Sequence, residues 1–150
     1  MARVTGGRKL KEFLRKARSA QARSKTVAVG FFSTAKYPDG TPVAAVAAWQ
    51  EFGVPANNIP ERPFFRRSLE DAEEVIMPVL IDGIDPKDMA MNRVTAGKVG
   101  LAMQSHIQRE ITTLIEPPNK PYTVLRKGSS SPLVDTGFMR QSVSHVVEDD

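Results

Sequence analysis

Residues 37–67, YPDGTPVAAVAAWQEFGVPANNIPERPFFRR, constrain the fold of this 150-residue chain more than any other stretch. Tyr37, Pro38, Asp39 and Gly40 carry turn chemistry, with proline at the second position and an Asp-Gly pair that tolerates positive φ. Thr41 is a good helix N-cap and Pro42 suits the first helical position. Val43, Val46, Ala47 and Gln50 or Phe52 follow at helical steps among alanines until Gly53 stops the helix. A helix with so small a surface presses closely against a sheet. Residues 54–63 contain three prolines and two asparagines, which predicts an irregular, sharply turning loop. Pro63 opens another helix with apolar positions Phe65, Leu69, Ala72, Ile76 and Val79 or Leu80. Pro78 is expected to kink or end it, and Asp82-Gly83 to stop it.

The rest of the chain supplies elements for this corner to pack on. Residues 8–23 read as a helix, with Leu10, Phe13, Leu14, Ala17 and Ala20 or Gln21 on one face and basic residues on the other. Residues 26–32, TVAVGFF, are β-branched and aromatic and read as a strand. Asp85-Pro86 has the cap-plus-proline signature and opens the longest helix, to about residue 115, with a core stripe of Ala96, Val99, Met103, Ile107, Ile111 and Leu114. Gly97 and Gly100 mark a close contact or a bend in it. Residues 116–131 read as a long polar loop with three prolines and a serine run, of the kind that is functional or ordered by a partner. Asp135 or Thr136 caps a short helix over 137–142, and residues 143–147 alternate like a strand. The expected fold is α+β, a small, mostly antiparallel sheet packed against several helices, with a basic helical arm over 1–25 and one domain over 26–150.

Charge is unevenly divided. Residues 1–25 hold nine Lys/Arg against the single acid Glu12, leaving 12 basic and 16 acidic residues for the remainder. Arg8, Lys9, Lys11, Arg15, Lys16, Arg18 and Arg23 are therefore candidates to meet DNA or an acidic protein partner. No apolar run approaches the ~20 residues of a membrane span and no signal-peptide pattern opens the chain, so it is expected to be made in the cytoplasm.

Catalytic constellations are scarce. The absence of cysteine excludes thiol nucleophiles and thiolate metal sites, and His106 and His145 are too few and too far apart for a histidine-rich site. Asp135, Ser142 and His145 are neighbours in sequence without a G-x-S-x-G elbow. Glu70, Asp71, Glu73 and Glu74 read as a solvated helix face that suits the start of a helix. His106 is expected to flank the core. The expectation is a protein without an active site, cofactor or metal. Glu51 is the anomaly, a carboxylate at the unfavourable end of an apolar helix, with Arg62, Arg66 or Arg67 across the loop in reach to compensate it.

Two blocks of residues resemble a known family. Tyr37-x-Asp39-Gly40-Thr41-x-Val43-Ala44, Ala47-x-x-Gln50-Glu51-Phe52-Gly53 and Ile59-Pro60-x-Arg62-Pro63-Phe64 form the first. Lys127-Gly128 and Pro132-Leu133-Val134-Asp135-Thr136-Gly137-x-Met139-x-x-Ser142-Val143 form the second. Together they resemble the tail-completion or neck proteins of long-tailed bacteriophages, the minor tail protein Z-like group, over residues 26–147; Gln50 stands where that group usually has asparagine. The resemblance implies a non-enzymatic virion protein, assembled in the host cytoplasm. It implies a homo-oligomeric, hexameric ring at the head–tail joint, in contact with the head connector and with the tail terminator or tail tube.

In such a ring the loops 53–63 and 116–132 are expected to make the intersubunit contacts, through Glu51, Phe52, Arg62, Phe64, Arg66, Arg67, Tyr122, Arg126 and Lys127. The basic arm would face DNA in the channel or an acidic neighbour. The competing class is a free protein that binds nucleic acid nonspecifically through the same arm.

Overall fold

A computed structural model describes residues 11, 12, 14–16, 18, 19, 25–84, 87, 90–128 and 130–148. The fold is α+β. Strand β1 (Thr26–Phe31) pairs antiparallel with β2 (Val143–Glu148), Thr26 opposite Glu148 and Phe31 opposite Val143. Between them lie α1 (Val43–Phe52), α2 (Phe64–Glu70), α3 (Ala72–Gly83), α4 (Arg93–Thr113), α5 (Pro121–Lys127) and α6 (Phe138–Gln141). In the arm, the described residues from 11 to 19 are helical. The rest of the 8–23 stretch, including Arg8, Lys9 and Arg23, lies outside the described residues. Among the described residues, no helix is long and apolar enough to cross a membrane.

Helix α4, 21 residues and about 31 Å long, is the backbone of the domain. Both strands, α2, α3 and α6 pack on it. Its expected stripe is buried at every position: Ala96, Val99, Met103, Ile107, Ile111 and, just past its end, Leu114. The helix starts later than the proline signature suggests. The Asn92 side chain accepts the Thr95 amide at 2.9 Å, so capping chemistry falls at Asn92; Asp85-Pro86 lie outside the described residues. Gly100 is where β2 crosses, since a Cβ there would lie 2.4 Å from His145 Cδ2, whereas Gly97 faces open space.

The core joins Val43 and Ala47 of α1, Phe64 of α2, Ile107, Ile111 and Leu114 beside α4, and Leu133, Met139 and Val143 near the C-terminus. Aromatic rings lock its centre: Phe31 meets Phe64 edge-on at 6.3 Å and Tyr37 lies 5.1 Å from Phe138.

Three sequence expectations need correction. The helix after Pro63 is two helices broken at Asp71, and its buried positions are Phe64 and Ser68 rather than Phe65 and Leu69. Pro78 lies inside α3 and does not end it; the helix runs on to Gly83, the stop expected at Asp82-Gly83. The polar stretch 116–131 contains α5, opened by Pro121 and stopped by Gly128 in the left-handed conformation at φ 68°. Proline at the first turn and glycine past the last are ordinary helix boundaries, here hidden inside a proline-rich run.

Candidate functional site

The corner begins with the turn at 37–40. The Asp39 carboxylate accepts the Thr41 amide at 2.9 Å, and this bond holds its pKa below the usual carboxylate range. Tyr37 N donates to Thr41 O and Gly40 N to Tyr37 O, and Lys36 bridges Pro42 in extended conformation. The chain thus enters α1 with Pro42 at its N-cap and Val43 fully buried.

At the far end of α1, Gly53 has φ 70°, and a Cβ on it would lie 2.9 Å from the Glu61 amide nitrogen. No other residue satisfies both conditions. The 54–63 loop is more regular than its prolines suggest. Val54 and Ile59 exchange backbone hydrogen bonds at 2.9 and 3.1 Å around a 3-10 turn, Pro55–Asn57, and Asn58 takes the left-handed conformation at φ 54°.

Glu51 resolves its own anomaly. Its buried carboxylate accepts the Phe65 amide at 2.8 Å, the Arg66 amide at 3.2 Å and Arg66 Nε at 2.8 Å. A residue misplaced at the end of α1 is therefore well placed at the start of α2, where the orphan amides and the helix dipole both favour an anion. Of the three candidate arginines, Arg66 makes the ion pair. It also pairs with Glu61 and lies over the Phe52 ring at 5.4 Å. The bonds to Glu51 and then Glu61 raise its pKa.

Arg62 is buried and fastens three segments. It donates from Nη1 to Gln50 Oε1 at 2.7 Å, from Nε to Pro117 O at 3.1 Å and from Nη2 to Asn119 Oδ1 at 3.2 Å, while its amide donates to Gln50 O. All its side-chain acceptors are neutral, and burial lowers its pKa. Lys127 Nζ donates to Ser131 O and Pro132 O, which turns the end of α5 into the following loop. Burial lowers its pKa, Asp135 opposes that shift and Arg62 adds to it.

These ties bring the two sequence blocks onto one groove of roughly 1450 Å³. Tyr37, Trp49, Gln50, Phe52 and Arg62 line it together with Lys120, Arg126, Lys127, Leu133, Asp135 and Phe138. Tyr37 inside it has a raised pKa, first from burial and then from Asp135 and Asp39.

The predicted contact residues divide by exposure. Glu51, Arg62 and Phe64 are taken into the chain's own packing, with Lys127 partly so. Phe52, Arg66, Arg67, Tyr122 and Arg126 face outward. The half-exposed Trp49 belongs with this outer set, and its place in an alanine-rich helix was the available signal. Lys11, Arg15 and Arg18 are exposed, and Lys16 pairs with Glu12 at 3.7 Å.

Ser142 Oγ donates to Phe138 O, and His145 Nδ1 lies 2.7 Å from Gln104 Oε1, so each has a partner other than the other. Both ring nitrogens of buried His106 lack a hydrogen-bond partner among the described residues. Among the described residues, no group of three or more His, Cys, Asp or Glu is placed to hold a metal ion. No family model matches the chain, and no curated protein and no solved structure matches it.

Proposed function

We propose that this chain is a structural virion protein of a long-tailed bacteriophage, a tail-completion or neck component that forms a homo-oligomeric ring and joins the tail to the head connector. The observation that carries the reading is the meeting of the two family-like blocks. They are far apart in sequence, yet both line one groove, with Arg62 of the first block bonded to Pro117 O and Tyr37 of the first lying 5.1 Å from Phe138 of the second. A groove lined by apolar side chains and by charges of both signs, and fastened by the part-buried bonds of Arg62, supports gripping a neighbouring subunit. In this reading Glu51, Arg62 and Phe64 set the shape, and Phe52, Arg66, Arg67, Tyr122 and Arg126 make the contact.

Negative-stain microscopy of the purified chain, alone and with tails of the phage that encodes it, tests this reading. Closed rings, six-fold in projection and seated at the tail end, are the expected result, together with unjoined heads and tails when the gene is deleted. Normal joined particles in the deletion would overturn it.

A second reading, nonspecific binding of nucleic acid, rests on the exposed Lys11, Arg15 and Arg18 of the arm. It predicts affinity for arbitrary duplex DNA that falls steeply with salt.

A further inference from the structure

Helix α3 carries Val75, Ile76, Met77, Val79, Leu80 and Ile81 within 12 residues, yet none of its residues is buried. Met77 is 43% exposed and Ile81 75% exposed, and Leu69 of the preceding α2 is 53% exposed. On α4, Val94 and Leu101 are also exposed, and Lys98 between them pairs with Asp82 of α3 at 3.9 Å. That pair and the Thr95 hydroxyl, which donates to Gly83 O at 2.7 Å, join the end of α3 to the first turns of α4. Isolated apolar side chains on a surface need no explanation, but a strip drawn from three successive helices does.

The end of this strip is acidic. Glu70, Asp71, Glu73 and Glu74 are all exposed, and among the described residues none of them forms an ion pair. Of the two cations in the same two helices, Arg66 is already engaged by Glu51 and Glu61, which leaves Arg67 alone against the four acids.

The chain itself contains the complementary element. By the periodicity of its sequence the arm reads as a helix with a basic face and an apolar stripe of Leu10, Phe13, Leu14 and Ala17. Residues 8–23 would be about 24 Å long as a helix, against about 18 Å for α3 alone, which α2 extends beyond the break at Asp71. In the structure Leu14 stands 48% exposed, and Lys11, Arg15 and Arg18 are exposed beside it. Among the described residues of one chain, neither surface covers the other.

We propose that the α2–α3 strip is the seat of the basic N-terminal helix of a second copy of this chain, with the arm's apolar stripe on Leu69, Met77 and Ile81 and its cations on Glu70, Glu73 and Glu74. Amphipathic helices dock on apolar strips in this way, with flanking charge setting direction. Arm-on-strip contact is heterologous, so repeating it closes a ring if the rotation permits and extends a filament if it does not. The inference specifies a contact of the proposed oligomer but is drawn from the charge and exposure of these two surfaces, whatever particle the oligomer belongs to.

The experiment uses two charge-reversed forms of the full chain, Lys11→Glu/Arg15→Glu/Arg18→Glu and Glu70→Lys/Glu73→Lys/Glu74→Lys, with mass read by light scattering after size exclusion. Wild type should associate, with an affinity that drops as salt rises. Each form alone should weaken association at least about 30-fold and run near the single-chain mass of 16.5 kDa. An equimolar mixture should recover the wild-type mass, because each reversed surface then meets a reversed partner. Circular dichroism confirms folding, and Ile81→Glu, which leaves the acids intact, should weaken association too.

Three results would overturn the proposal: a monomeric wild type, full association of either form alone, or a mixture that stays monomeric. The first is expected if the arm folds back on its own strip, and the first together with DNA binding if nucleic acid is its target. A ring that forms through another face would remove this contact and leave the virion reading standing. Association through this face in a chain absent from particles would do the reverse.

Discussion

Glu51 accepts the backbone amide of Phe65 at 2.8 Å, so a residue in the last turn of one helix caps the beginning of the next. The bond explains why Phe64 and Ser68 are fully buried while Phe65 packs only partly against the core and Leu69 faces outward. With the Phe65 and Arg66 amides fixed on a buried carboxylate, the rotation of α2 is set at its first turn and the side chains follow.

Replacing Glu51 tests that role. Glu51→Ala leaves the Phe65 and Arg66 amides without their acceptor and Arg66 without its partner, and should cost about 3 kcal/mol in urea unfolding. Glu51→Gln keeps an acceptor but loses the charge, and should cost roughly half as much. Equal stability of Glu51→Gln and wild type would show that the cap needs no charge.

Two glycines of one helix should respond in opposite directions. A methyl group on Gly97 would meet nothing within 4 Å, so Gly97→Ala should stabilise the protein by about 0.5–1 kcal/mol through helix propensity alone. At Gly100 the same methyl would sit 2.4 Å from His145 Cδ2 and 3.1 Å from its Cβ. Gly100→Ala must therefore displace the whole ring from Gln104 and should cost about 1–3 kcal/mol. Thermal melts of the two variants decide it, and a shift of the same sign in both would refute the packing of β2 on α4.

Much of this packing is legible in the residues. The α4 stripe recurs at helical steps over Ala96 to Leu114, long enough for periodicity to average out local noise, and all six positions are buried. Glu51 was legible as a conflict with the helix dipole, and an Arg pair resolves it. Other features were hidden because tertiary contacts decide them. The phase of α2 depends on a carboxylate 14 residues away. The 121–127 helix is too short to show a period, and its Pro121 and Gly128 sit among other loop-like residues. The groove needs residues 37 and 138, or 62 and 117, to meet, and no local pattern encodes such pairs.

His106 is buried without a partner for either ring nitrogen among the described residues, the kind of polar burial that costs stability. His106→Leu should raise the urea midpoint by an amount worth about 1 kcal/mol. A loss of stability would mean that the imidazole has a structural partner at that position.

Alkaline pH should weaken the fold through Tyr37. Its folded pKa is raised above the ordinary 10.0 by burial and by Asp135 and Asp39, so the native state holds the phenolic proton more tightly than the unfolded chain. That contribution is complete below pH 10 and is lost as pH rises through the folded value. In Tyr122→Phe, where Tyr37 is the only tyrosine left, absorbance at the phenolate band should titrate above 10.0, and Asp135→Asn should lower its midpoint. Tyr37→Phe should lose less stability between pH 9 and pH 11 than wild type. A midpoint at or below 10.0 would contradict the placement of Tyr37 in the groove.

Arg62 holds the groove by geometry, so a second cation should not replace it. Its three nitrogens reach Gln50, Pro117 and Asn119, acceptors that diverge from one planar fork, whereas a lysine offers one ammonium at one point. Arg62→Lys should keep the charge, lose at least two of the three bonds and cost about 2–3 kcal/mol. The segment that those bonds hold, fastened otherwise by Asn119 Nδ2 on Ser131 O at 3.3 Å, should loosen first. Amide exchange at residues 119–124 should accelerate at least about tenfold while the α4 amides around Ile107 and Ile111 exchange as before, because local opening samples the least fastened segment. Uniform acceleration across the chain would make Arg62 a general stabiliser of the fold, and no change in 119–124 would remove it as the tie between Gln50 and that segment.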